Sequence, residues 1–234
     1  MSILRKILTH NYWAIFYFNF KMLPFKQAIK LPFVFYYSTR FESLSGKIIL
    51  DNNCISRGMI KIGGRGSEMF PHTVTIIDLK GVLIINGKVE IGHGCLLRIE
   101  KEGSVSFGDH VRIGALTKIF CVKKITFKDE IDFSWECQIF DNNFHYIRNV
   151  VSKEIEPISG EIQIGSNNWF GNRITVMKNT NTPDSFIVAS NSLCNKNYSD
   201  FPPYSVVGGV PVKLIGSGKQ RIFENLEDIS SFYE

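Results

Sequence analysis

The sequence predicts an all-β solenoid of short parallel strands, and three observations predict it. One pattern recurs four times with the same internal spacing: IGHGCLLRI from Ile91, FGDHVRIGALTKI from Phe107, FKDEIDFSWECQI from Phe127 and IGSNNWFGNRITV from Ile164. Inward-type residues fall four and six positions after the first, most fully at Phe127, Ile131, Phe133, Cys137 and Ile139. A step of six matches neither the helical period nor simple strand alternation. It fits tight turns between short strands, each step forming one side of a triangular coil. Such coils cannot bury their apolar face alone, so they stack and need capping. Finally, 44% hydrophobic and 21% charged residues in 234 suit a globular chain with a sizeable core.

Residues 1–45 read as a mostly helical lead-in, broken at Pro24 and Pro32. The segment Tyr12 to Tyr37 is rich in Phe and Tyr, with Lys21, Lys26 and Lys30 interleaved. The favoured reading is a cap on the open end of the solenoid; contact with a membrane surface is the alternative. The apolar run is far too short to span a bilayer, and no small-residue cleavage site follows Arg5 and Lys6.

Strand signals begin after Gly46: Lys47–Leu50, Met59–Gly63, Thr73–Ile77 and Val82–Ile85, with Gly63 to Ser67 read as a loop. Regular coils run from Val89 to Ile139 and resume at Ile162. Between them, residues 140–160 carry no repeat signal and hold Asp141, Asn142, Asn143 and His145. A long insertion in a regular domain is often functional, so chemistry is sought there first. Paired Pro202 and Pro203 are expected to end the solenoid, since they cannot join a central ladder. The domain is thus residues 46–215, and 216–234 are expected to hold a short C-terminal helix.

Charge and cysteines narrow the function classes. A net charge of +5 suits an anionic ligand, but no Lys/Arg run of useful length argues for nucleic acid. Cys54, Cys95, Cys121, Cys137 and Cys194 are scattered and odd in number, with no CxxC pair, and read as structural thiols in a reducing compartment. No Walker-type glycine loop is present.

These residues carry a resemblance. Ile164 to Asn172 is similar to the IGDNVWIG segment of the hexapeptide-repeat acyltransferases, and Val206 to Ile215 to their closing VVAGNPAKVI. Ala189-Ser190-Asn191-Ser192 and Lys196 fall where that family has GANSVVTK. Phe18 to Lys21 and Leu23 to Phe25 resemble the lead-in of capsule and lipopolysaccharide O-acetyltransferases. Lys128 and Val188 depart from the pattern, standing where small corner residues are usual. The resemblance implies a left-handed parallel β-helix working as a homotrimer with sites between subunits, acetyl-CoA as co-substrate and a glycan or sugar-precursor acceptor. It also implies a cytoplasmic enzyme, with the inner membrane surface as a second location.

His145 matches the position of the family's catalytic base. Acyl transfer to a hydroxyl needs one, and imidazole titrates near neutrality. Asp141 and Asn143 either orient that imidazole and hold the acceptor or serve as ordinary turn residues. By resemblance Trp169 lines the cofactor or acceptor groove, Gly171, Asn172 and Ser190 meet the pantetheine amides of the cofactor, and Lys196 and Lys213 meet its phosphates. Trp169, read as standing at a turn, also suits a subunit interface. His93 and His110 sit in regular coils and read as structural, and no second histidine lies near His145 to build the three-histidine zinc site of β-helix carbonic anhydrases. No metal is expected. The readings are an acetyl-CoA-dependent O-acetyltransferase acting on a surface polysaccharide or its precursor, an N-acetyltransferase of an amino sugar nucleotide, and a non-catalytic trimeric scaffold.

Overall fold

The six-residue step builds three sheets that share one core, parallel throughout except for the antiparallel closing pair β20–β21, a left-handed parallel β-helix. The computed structural model describes residues 9–51, 55–64 and 70–222. Strands are numbered in chain order. The first face stacks β1 (Phe33–Phe35), β4 (Ile60–Gly64), β7 (Val89–Gly92), β10 (Val111–Ile113), β13 (Ile131–Phe133), β16 (Trp169–Phe170), β18 (Ile187–Val188), β20 (Val206–Gly208) and β21 (Lys213–Gly216). The second holds β2 (Thr39–Leu44), β5 (Thr75–Leu79), β8 (Leu96–Ile99), β11 (Lys118–Cys121), β14 (Gln138–Phe140), β17 (Thr175–Met177) and β19 (Leu193–Cys194). The third holds β3 (Lys47–Leu50), β6 (Val82–Ile85), β9 (Ser104–Phe107), β12 (Lys124–Phe127) and β15 (Ile162–Ile164).

Register explains the repeat. Phe35, Ile62, Ile91, Ile113, Phe133, Phe170, Val188 and Val207 form one inward column on the first face. The Phe133 and Phe170 rings stack at 4.0 Å, and those of Phe107 and Phe127 at 4.9 Å. Asn168 interrupts the neighbouring apolar column but is satisfied, donating to Thr182 Oγ1 at 2.7 Å and accepting from the Phe186 amide at 2.7 Å. In five successive coils the corner between the first and second faces takes a left-handed residue. Gly94, Leu116, Glu136, Arg173 and Asn191 supply it, with φ between 57° and 69°. Only the first is glycine, so stacking offsets the strain of the other four.

The solenoid starts earlier than expected, because β1 and β2 lie inside the stretch read as lead-in. Their aromatic residues mark core positions of the first coil as well as cap. Helix α1 (Tyr12–Met22), followed by the short α2 (Phe25–Ala28), covers that coil. Phe18 packs on Phe33, Phe35 and Phe41 at 4.8–5.4 Å. Asn19 acts as a surrogate strand: its amide donates to the Phe33 carbonyl at 2.8 Å and accepts from the Phe33 N–H at 3.1 Å. That closes an edge otherwise open to pairing.

Three further expectations are corrected. Pro202 and Pro203 do not end the solenoid, because they occupy the turn before β20, which continues the first face. Val188 is a buried inward residue, and Ala189 takes the corner. Residues 217–222 are not helical, and the remainder of the expected C-terminal helix, 223–234, lies outside the described residues, as do Arg5, Lys6, Cys54 and the Arg65–Ser67 part of the expected loop.

Cys95, Cys121, Cys137 and Cys194 are buried and unbridged. Burial is the main cause raising their thiols, to about 12, about 11 and about 12 for Cys95, Cys137 and Cys194, and upward also for Cys121. A thiol whose folded pKa exceeds its unfolded value stabilises the fold below the unfolded value, 9.0, and that contribution fades as pH climbs toward the folded one. Urea midpoints should therefore hold from pH 7 to 8.5 and fall between pH 9 and 11, and Cys95→Ala should flatten the slope. The native thiols should also resist iodoacetamide.

Candidate active site

The insertion is an arm. It leaves β14 at the corner between the second and third faces and returns at β15. Antiparallel bridges Asn142↔Ser159 and Arg148↔Ile155 pair its two limbs, and residues 144–157 are exposed. Its root is held firmly. The Phe144 N–H donates to Asn142 Oδ1 at 3.0 Å, and the Phe144 ring meets Phe120 and Phe140 edge-on at 5.0 and 5.5 Å. On the returning limb, Lys178 Nζ donates to the Pro157 carbonyl at 2.5 Å. His145, next to that aromatic seat, is exposed.

Asp141 points the other way. It is fully buried, and its carboxylate accepts the amide N–H groups of Val122, Lys123 and Lys124 at 2.7–2.9 Å. It ties the preceding coil's corner to the root of the arm, and no hydrogen bond joins it to His145 among the described residues. The Asn143 N–H donates to the Ile158 carbonyl at 2.9 Å, while its half-buried side chain makes no hydrogen bond among the described residues.

The expected cofactor residues divide between the first face and two corners. Gly171, Asn172 and Ser190 meet where the first face turns into the second: Ser190 Oγ donates to Asn172 Oδ1 at 2.5 Å, and a Cβ on Gly171 would lie 2.8 Å from the Ser190 backbone nitrogen. Glycine is therefore required there by coil stacking alone. Trp169 is on strand β16 rather than at a turn, facing outward between Asp132 and Ile187 with the Arg221 guanidinium 5.8 Å from its ring. Lys213 opens β21 in the same sheet, paired with Gly208. Lys196 lies at the other corner, below the arm, 5.7 Å from the Tyr198 ring.

In one chain, then, His145 and the Gly171–Ser190 corner flank opposite edges of the second face. At ~3.3 Å rise per residue, a six-residue side separates such corners by roughly 15–20 Å. That is far beyond hydrogen-bonding reach.

No family model matches the chain. It is 26% identical over 182 residues to the "Probable acetyltransferase Rv3034c" of Mycobacterium tuberculosis, which covers 77% of this chain and 57% of that protein. It is 26% identical over 163 residues to the "Putative lipopolysaccharide biosynthesis O-acetyl transferase WbbJ" of Escherichia coli, covering 64% and 82%. The chain thus spans little more than half of the mycobacterial relative. Among solved structures, the polySia-specific acetyltransferase NeuO superposes with a TM-score of 0.58 at 16% identity, covering 86% of each chain. The polysialic acid O-acetyltransferase OatWY gives 0.50 at 15%, covering 84% and 99%. Both show the fold. In sequence the chain is similar to these acetyltransferases, and in fold to the solved polysialic acid acetyltransferases.

Within this β-helix, reading the sequence missed the seat of the arm. Arg98, Phe120 and Phe140 occupy one outward column of the second face, with the Arg98 guanidinium 5.6 Å from the Phe120 ring and paired at 2.8 Å with buried Asp78. A cation and two aromatics recurring at coil spacing were a usable signal, but their shared face shows only once register is known.

Proposed function

We propose that the protein is an acetyl-CoA-dependent O-acetyltransferase acting on a sugar hydroxyl of a surface polysaccharide or its precursor. The observation that carries this is the location of His145, an exposed imidazole beside the aromatic seat of the arm at a coil corner, in a chain similar to sugar and polysaccharide acetyltransferases. In this reading the His145 imidazole takes the acceptor proton as the hydroxyl oxygen attacks the thioester carbonyl. The C–S bond breaks, and the coenzyme leaves as the thiol after taking that proton back. No covalent enzyme intermediate is expected, because the four described cysteines are buried thiols held protonated.

The separation of the two corners supports a homotrimer. A neighbouring copy would bring its Gly171, Asn172, Ser190 and Trp169 against the arm of the first, and pantetheine amides would pair along that corner. Lys196 and Lys213 would meet the phosphates. Asn143 is free to hold the acceptor, whereas Asp141 holds the turn. Use of acetyl-CoA places the reaction in the cytoplasm.

Calorimetric titration of acetyl-CoA tests the donor. Trp169→Ala should weaken binding by about 1–3 kcal/mol, the range for losing a buried aromatic anchor, while His145→Ala should leave it intact. Absence of binding at millimolar cofactor would favour the scaffold, and turnover only with amino-sugar acceptors would favour N-acetylation.

A further inference from the structure

Helix α1 is apolar on both sides, but only one side is covered. Ala14, Ile15, Phe18 and Asn19 are buried on the first coil, whereas Tyr12, Trp13, Phe16, Tyr17 and Phe20 are 40–65% exposed. The exposed set falls in one arc of the helix, and the patch continues past Pro24 through Phe25 (71% exposed), whose ring lies 6.1 Å from Phe20, and Ile29 (55%). Soluble surface helices normally carry polar residues on such a face. A contiguous aromatic patch of this kind marks an interaction site.

Charge says what kind. No Asp or Glu occurs before Glu42, while Arg5, Lys6, Lys21, Lys26, Lys30 and Arg40 precede it. Lys21 and Lys26 are exposed beside the patch, and neither has an ion-pair partner among the described residues. Among the described residues Lys30 reaches only a carbonyl, that of Ile55, at 3.5 Å. Uncompensated cations beside exposed Trp, Tyr and Phe match an anionic lipid surface, where amphipathic rings settle at headgroup level and lysines meet lipid phosphates. No described helix is long and apolar enough to cross a membrane.

We propose that the outer face of the N-terminal cap, from Tyr12 to Lys30, docks the protein peripherally on anionic lipid bilayers, while its inner face closes the solenoid. The proposal stands independently of the catalytic reading.

Flotation of the full chain with phosphatidylcholine vesicles, with and without phosphatidylglycerol, tests it. Wild type should float with the mixed vesicles only, less so as salt rises. At ~1 kcal/mol per basic residue near the surface, the triple change Lys21→Glu, Lys26→Glu, Lys30→Glu should weaken binding by roughly a hundredfold or more. Trp13→Ala with Phe25→Ala should also weaken it. All five side chains are exposed, so thermal unfolding should be unchanged in both variants and acetyl-CoA binding retained. Failure to float, equal flotation with neutral vesicles, or unchanged flotation of either variant would overturn the proposal. A lower mass of Trp13→Ala/Phe25→Ala by sedimentation equilibrium would also overturn it, showing instead that a second copy covers the face.

Discussion

Replacing His145 with Ala should lower acetyl transfer at least ~10²-fold, the usual scale for losing a general base. Because the side chain is exposed and its neighbours Phe144 and Asn142 hold the arm without it, the melting temperature should not move. Acetyl-CoA affinity should be unchanged, since on the proposed assembly the donor lies mainly along another subunit's corner. The loss should therefore fall on kcat, a transition-state effect rather than a binding one. Phe144→Ala offers a companion measurement: the imidazole stays, but its aromatic seat is gone, so the rate should drop by less than in His145→Ala. Full activity of His145→Ala would exclude the base mechanism and return attention to a scaffold.

Asp141→Ala should act in the opposite way, on stability rather than chemistry. The carboxylate accepts three backbone N–H groups of the corner Val122–Lys124. Removing it leaves those donors without their acceptor, and each buried unsatisfied group costs about 1–3 kcal/mol. Because Lys123 and Lys124 are themselves exposed, water will replace part of that loss. We expect a net destabilisation of about 2–4 kcal/mol, or a fall of roughly 5–15 °C in melting temperature for a domain of this size. Activity per folded molecule, measured well below the transition, should survive far better than in His145→Ala. Asp141→Asn should be only partly protective, because its amide presents N–H groups to a cluster of donors. A stable but inactive Asp141→Ala would make Asp141 the partner of the imidazole instead.

These two residues show how far reading the sequence reached at the site. Both lie in the one stretch where the six-residue step fails, so the break itself marked the arm. What the step could not distinguish was direction. Asp141 is the last residue paired to the coil and turns inward, whereas His145, only four positions on, is in solvent. A residue's turn chemistry and its catalytic chemistry use the same polar atoms, and only the backbone path separates them. The cofactor residues behave similarly: Gly171, Asn172 and Ser190 come together at one corner, but Lys196 belongs to another.

The sequence by itself determined the solenoid, the inward columns such as Ile91, Ile113 and Phe133, and the place of the arm. Stacked parallel coils repeat one local environment, so pattern and position are the same information. Only the tertiary structure decided which corner each polar residue occupies, that Asn19 closes the edge of β1, and that the aromatic helix keeps one face uncovered. These follow from register and from which surfaces meet, and contacts between residues far apart in the chain leave no local period to read.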